Sequence, residues 1–279
     1  MPEYDPVDPP VALTVAGSDS GGGAGIQADL TAMTAHGVFG ASVVTATTAQ
    51  NTRGVADVNP LPADHVASQY AAVADDFDVR AVKTGMLATA GIVETVTEAV
   101  ADADVPLVVD PVMVAATGDR LLSPAAEAAY EDLVAAATLV TPNADEAAVL
   151  TGDPVETPAD AAAAGREVVA LGADAALVKG GHLTGGDGGD TVVDTLVRAE
   201  EEGESGVAVD RFETPRVDTA ATHGSGCALS SAIAARLARG ESVREAVEAA
   251  VEGMTEAVRR GYDVGEGPGA VNPTVLGAE

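Results

Sequence analysis

Short apolar runs rich in Val, Ile, Leu and Ala alternate along most of the chain with longer segments whose apolar positions recur at helical spacing. This alternation predicts βαβ units: a mainly parallel sheet with helices on both faces. The runs predict strands over 11–16, 41–47, 79–83, 106–110, 138–140 and 175–178. Helices are predicted over 25–36, 64–75, 91–100, 124–135, 144–150 and 159–171, and two longer ones over 227–238 and 242–260. Residues 185–210 break the pattern with a Gly/Asp-rich loop, a strand-like 191–197 and an acidic turn, which together read as a hairpin at the sheet edge. In such a fold the loops after the strands share one edge, where ligands bind. Six polar or Gly-rich clusters follow the six strands, so one site is assembled from six loops.

The chain has 279 residues, 47% of them hydrophobic, enough to bury one large α/β core over 11–265. The acidic, Pro-rich residues 1–10 and the stretch 266–279 read as tails. Aromatic residues make up only 3% and there is no Trp, so the core is built from small aliphatic side chains. No apolar run is long enough for a bilayer, and the N-terminus lacks the basic and apolar regions of a secretory signal, which points to the cytoplasm.

A formal charge of -30 argues against nucleic acid and against an anionic membrane as partners. Acids are spread over the whole chain while Lys83 and Lys179 are its only lysines. Such a surface suits concentrated salt, where the Debye length near 1 M is only about 3 Å and self-repulsion is screened; a halophilic cytoplasm is the inference. Cys227 stands alone, which excludes an intrachain disulfide and a Cys-based zinc site.

Four motifs carry the candidate chemistry. The first, Ala16-Gly17-Ser18-Asp19-Ser20-Gly21-Gly22-Gly23-Ala24-Gly25, lies between a strand and a helix. No carboxylate ends the second strand, as a dinucleotide-binding unit requires, and no Gly-Lys-Ser/Thr occurs. The loop either closes over a small flat substrate, with Asp29 on the next helix as a partner, or is a tight turn. The second, Asn143-Ala144-Asp145-Glu146, puts two oxygen ligands on one helix face, suited to a hydrated Mg²⁺ and equally to a capping box.

The third, Lys179-Gly180-Gly181-His182, delivers a cation to the ligand edge of a chain that has otherwise discarded lysine, which is better explained by phosphate than by solubility. Lys83 is weaker evidence, since it could pair with a structural carboxylate. The fourth, Thr222-His223-Gly224-Ser225-Gly226-Cys227, places glycine amides at the positive end of a long apolar helix, an anion hole. Cys227 sits where helix N-termini lower thiol pKa values, so it is a candidate base or an oriented thiol.

With Ala49-Gln50-Asn51-Thr52, Lys83-Thr84-Gly85-Met86-Leu87 and Asp110-Pro111-Val112-Met113, these motifs resemble the hydroxymethylpyrimidine kinase / hydroxymethylpyrimidine-phosphate kinase family of the ribokinase-like superfamily. The resemblance runs from about Val11 to near Arg260. It implies a three-layer αβα sandwich around a mostly parallel sheet, commonly dimeric. It also implies transfer from ATP to 4-amino-5-hydroxymethyl-2-methylpyrimidine and then to its monophosphate, on the way to thiamine. A pyridoxal or pyridoxine kinase is the nearest rival, and a noncatalytic binding module a more distant one. Residue by residue, it implies that Gly17, Asp29, Gln50, Met86 and Val112 contact the pyrimidine, and that Lys179, Thr222 and Asn143 contact the nucleotide. Asp110, Asn143 and Glu146 would place Mg²⁺, and Gly224, Gly226 and Cys227 would form the anion hole. The sequence departs at Ser225, where Thr is common.

Overall fold

The computed structural model describes residues 6–101, 103–113, 124–181, 183, 190–200 and 206–277, without the side chains of 124–128. Among the described residues, nine strands form one sheet: β1 (Val11–Ser18), β2 (Phe39–Asn51), β3 (Gly54–Pro60), β4 (Val79–Thr84), β5 (Leu107–Val109), β6 (Leu139–Val140), β7 (Ala175–Val178), β8 (Thr191–Ala199) and β9 (Val207–Pro215). Their order is β3-β2-β1-β4-β5-β6-β7-β8-β9. The six strands from β2 to β7 in that order pair in parallel, and the outer pairs β2–β3, β7–β8 and β8–β9 are antiparallel.

The α-helices among the described residues are α1 (Gly25–Ala35), α2 (Ala63–Ala74), α3 (Ala90–Val100), α4 (Pro124–Ala135), α5 (Ala144–Thr151), α6 (Pro158–Ala170), α7 (Ser225–Ala238) and α8 (Val243–Arg259). Because strand side chains alternate between faces, Ala12 and Val108 pack with residues of α1, α7 and α8, while Leu13, Val15 and Val109 pack with those of α2, α3 and α4. The expected three-layer α/β sandwich is thus observed, and the hairpin after β7 closes one sheet edge.

Two expectations change. The second strand runs on to Asn51 and turns back as β3, which was not predicted: the exposed stretch 54–60 lacks a buried apolar face and is held by its pairing to β2. Residues 266–277, expected as part of a tail, are integral. Ala270 bridges to His223 and Tyr262, while Val271 and Leu276 are buried against α7 and α8 residues. Among the described residues, no helix is long and apolar enough to cross a membrane.

Candidate active site

The parallel strands end along one edge, and the start of α7 lies over it. Unlike α5, α6 and α8, whose first turns are closed by capping boxes, α7 begins at Gly224 with no side-chain cap. Gly224 holds φ +77 and its backbone lies against the first glycine loop, so a Cβ there would sit 1.9 Å from the Gly23 carbonyl oxygen. The Ser225 N–H turns back to the Thr222 carbonyl, and the Ala228 N–H begins the intrahelical ladder at Gly224. Helix geometry leaves the Gly226 and Cys227 amides between them without an intrahelical acceptor, available to the expected anion hole.

Lys179 follows β7, its N–H bonded to the Pro142 carbonyl at 2.8 Å. Its ammonium donates to Asp110 Oδ1 at 2.9 Å and stands 3.8 Å from Glu146 Oε2. Thr141 Oγ1 also donates to Asp110 Oδ1, and Ser230 on α7 approaches Asp110 Oδ2 at 3.4 Å. A Cβ on Gly226 would lie 3.2 Å from Lys179 Nζ and 3.7 Å from Asp110 Oδ2. Lysine, carboxylates and helix amides therefore meet in one place, although Asp110, Glu146, Lys179 and Gly226 come from four separate segments of the chain.

Electrostatics follow from that crowding. Burial opposes the Lys179 charge, but Asp110 and Glu146 outweigh it and hold the ammonium firmly protonated. Asp110 is pushed up by burial and brought below its ordinary value by Lys179 and Lys83. Glu146 is pushed up to about 7 by burial, with Asp110 adding to the rise and Lys179 opposing it.

From Lys179 a cleft of about 200 Å³ runs past Thr222, Ser225 and Gly226 to a wall that includes Val192, Leu229, Val251, Met254 and Val258. Lys179 and Thr222, two of the expected nucleotide contacts, both line it. Asn143 does not. Its Oδ1 accepts the Glu146 N–H at 2.9 Å while Glu146 Oε2 accepts the Asn143 N–H, so both readings of that motif reduce first to a capping box. The cap engages one lone pair of Asn143 Oδ1 and one oxygen of Glu146, which leaves further lone pairs on both beside Asp110. Among the described residues no three His, Cys, Asp or Glu side chains gather as a metal cage.

The residues expected on the substrate side have differing surroundings. Met86 packs over Gly17 so closely that a Cβ on the glycine would meet Met86 Cε at 2.4 Å. Gln50, near the end of β2, reaches His223 at 3.3 Å, and Val112 follows β5, its N–H bonded to the Asp110 carbonyl. Asp29 is a correction. It is fully buried on α1, with both oxygens 2.9 Å from Lys83 Nζ and further bonds from Thr14 and Ser231, so no lone pair is left facing a ligand.

Cys227 is a second correction. The expected lowering of its thiol pKa at the helix start is overridden by burial, which pushes it up to about 11, with Lys83 only partly offsetting the rise. Burial thus favours the protonated thiol, a form better suited to an oriented group than to a base. His182 lies outside the described residues.

Residues not singled out from the sequence also build the site. Asp19 accepts N–H bonds from Gly21, Gly23 and Ala24 at 2.7, 3.1 and 2.9 Å, and His223 Nε2 lies 3.1 Å from its Oδ2. Burial raises Asp19, but His223 and the backbone donors bring it below its ordinary value. Asp19 thus pins the first glycine loop and joins it to the motif before α7. In a chain with 44 acidic residues, its only signal was a place inside a glycine-rich turn.

A parallel α/β sheet with a lysine, two carboxylates and uncapped helix amides at the end of an apolar cleft defines a small-molecule phosphotransferase. The model of the phosphomethylpyrimidine kinase family matches residues 19–272. The hydroxymethylpyrimidine/phosphomethylpyrimidine kinase of Streptomyces coelicolor is 50% identical over 96% of this chain and 95% of its own length. The thiamine biosynthesis bifunctional protein ThiED of Geobacter sulfurreducens is 44% identical over 96% of this chain and 52% of its own. Among solved structures, the ADP complex of Bacillus subtilis pyridoxal kinase superposes with a TM-score of 0.85 at 34% identity, covering 96% of this chain and 99% of that one. This chain belongs to the phosphomethylpyrimidine kinase family and has its ribokinase-like fold.

Proposed function

We propose that the chain transfers the γ-phosphoryl group of ATP to the hydroxymethyl oxygen of 4-amino-5-hydroxymethyl-2-methylpyrimidine, and then phosphorylates the monophosphate, for thiamine synthesis. The observation that carries this reading is the convergence of Lys179, Asp110 and the Gly226 backbone at the end of the apolar cleft. The cleft takes the nucleotide, its polyphosphate toward Lys179 and Thr222. Gly17, Gln50, Met86 and Val112 take the heterocycle on the other side of the α7 start. The Gly226 and Cys227 amides stabilise charge on the transferring group. Such preorganised donors and alignment, more than covalent chemistry, set the rate of phosphoryl transfer.

Asp110 and Glu146 fit a hydrated Mg²⁺, which takes one or two carboxylates and otherwise keeps water and substrate phosphate. When bound, it neutralises phosphate charge. In a protein of formal charge -30, this cation and Lys179 make room for an anionic nucleotide.

The acid-rich, lysine-poor surface fits work in a salt-rich cytoplasm, and we assign the protein there, as a homodimer whose mass light scattering would check. A pyridoxal kinase is the second reading, favoured by the likeness to the Bacillus subtilis enzyme. The deciding experiment couples ADP release to a dye in about 2 M KCl, where surface charge is screened. Hydroxymethylpyrimidine should support magnesium-dependent turnover with kcat/KM above that of pyridoxal. The reverse ranking would select the second reading, and no turnover with either would reject both.

A further inference from the structure

Beneath the anion hole lies a charged pair that the reaction as described above does not use. Lys83 and Asp29 are both fully buried, on β4 and α1. Thr14 on β1 donates to Asp29 Oδ2 at 2.6 Å, and Ser231 on α7 donates to Asp29 Oδ1 at 2.8 Å. Four elements of the fold thus meet at one carboxylate. Burial alone would drive the Lys83 ammonium toward neutrality, but Asp29 reverses this and keeps it charged.

The spacing along the two helices gives this cluster a direction. Asp29 lies four residues after Gly25 on α1, and Ser231 four residues after Cys227 on α7, so each pair shares one helix face. The Gly25 backbone amide faces the Cys227 thiol. The two helices are therefore joined by the Ser231–Asp29 bond, one turn below Cys227 and Gly25 at the level of the site. Gly25 itself adopts φ +55 against the Gly17 carbonyl, which leaves its position little freedom. On the other flank, a Cβ on Gly85 would touch Lys83 Nζ at 3.0 Å, so the ammonium also braces the turn that carries Met86.

A buried ion pair is a poor means of stabilisation, since well-packed apolar residues often do as well or better. Keeping one of only two lysines in such a pair points to placement. We propose that Lys83, Asp29 and Ser231 are positioning residues that hold the first turn of α7, and with it Cys227 and the Gly226 amide, in register with the substrate-side loops. The inference deepens the kinase reading and rests on it for its effect on turnover.

The test uses two variants of the full chain: Ser231→Ala, and the apolar replacement Lys83→Met with Asp29→Leu. Cys227 is the only cysteine, so alkylation by iodoacetamide reports that residue alone and needs no turnover. In Ser231→Ala, kcat should fall about tenfold with the ATP KM held within about twofold, because small misplacement near a reacting centre has large effects on rate. Cys227 alkylation should speed up several-fold. The double variant, melting at or above the wild-type temperature, should repeat the fall in kcat. If it does not fold, Ser231→Ala decides alone. An unchanged alkylation rate in Ser231→Ala, whatever its kcat, overturns the proposal, as does an unchanged kcat in a folded double variant. A wild-type chain inactive on every heterocyclic alcohol, yet with the alkylation difference present, would reject the kinase reading and leave the positioning intact.

Discussion

At the residue scale the two lysines divide the work. Lys83 is sealed beneath the site, whereas Lys179 keeps a 15% exposed side chain at the end of the cleft and balances Asp110 and Glu146. Replacing Lys179 by Met removes the cation aimed at phosphate and leaves two buried carboxylates in mutual repulsion. Turnover should fall on the order of 10² to 10³, as for other lost transition-state donors, and the melting temperature should fall as well; steady-state kinetics and thermal unfolding check both.

Cys227 supplies a pH prediction. Its folded-state pKa of about 11 exceeds the ordinary 9.0, so the folded chain prefers the protonated thiol. Its contribution to stability is complete below 9.0 and is lost as pH rises through about 11. Alkylation should keep accelerating toward that value rather than level off near 9.0, and Cys227→Ser should keep the shape of the activity–pH profile around neutrality. A thiol titrating below 8 would contradict the burial argument. The motif around Cys227 was legible in the sequence as an anion hole, but its protonation state was not, because desolvation depends on what packs over it.

At the element scale, local signals did well where helices begin and end. The capping boxes at Asn143, Thr157 and Ser242 are visible as Asn, Thr or Ser followed three residues later by an acid. The uncapped start of α7 is equally visible, as glycines where a cap belongs. What α7 starts against was hidden. Gly224→Ala would force an alanine into φ +77 and into the Gly23 carbonyl, whereas Gly240→Ala meets φ +88 but open space. The second change should cost about 1–2 kcal/mol for the left-handed backbone alone. The first should cost more and also abolish turnover, since the two glycine loops must separate; equal melting temperatures for the two variants would show that the loops do not press together. β3 escaped prediction for a related reason: its residues carry no core-facing stripe, and only pairing with β2 orders them.

At the scale of the whole molecule, charge dominates. With 44 acidic against 14 basic residues, self-repulsion opposes folding at low ionic strength, while the charges inside the site are shielded by burial and pairing. Raising KCl from about 0.1 to 2 M should therefore increase the melting temperature by many degrees, with most of the gain at the lower salt range where screening changes fastest. A melting temperature that is flat or falling over that range would remove the inference of a halophilic setting.

Residue order alone determined the layered α/β class, the six parallel strands, the edge hairpin, and the segments that supply Lys179, Asp110, Glu146 and Cys227. These signals are local, because strand and helix periods and glycine turns are written within a dozen neighbouring positions. Tertiary structure alone decided that Asp29 belongs to Lys83 and not to a ligand, that Asp19 and His223 lock two glycine loops together, and that burial raises the Cys227 thiol rather than lowering it. Each depends on groups brought together by packing, such as Asp19 and His223 across 204 positions of chain, and on how much water that packing excludes.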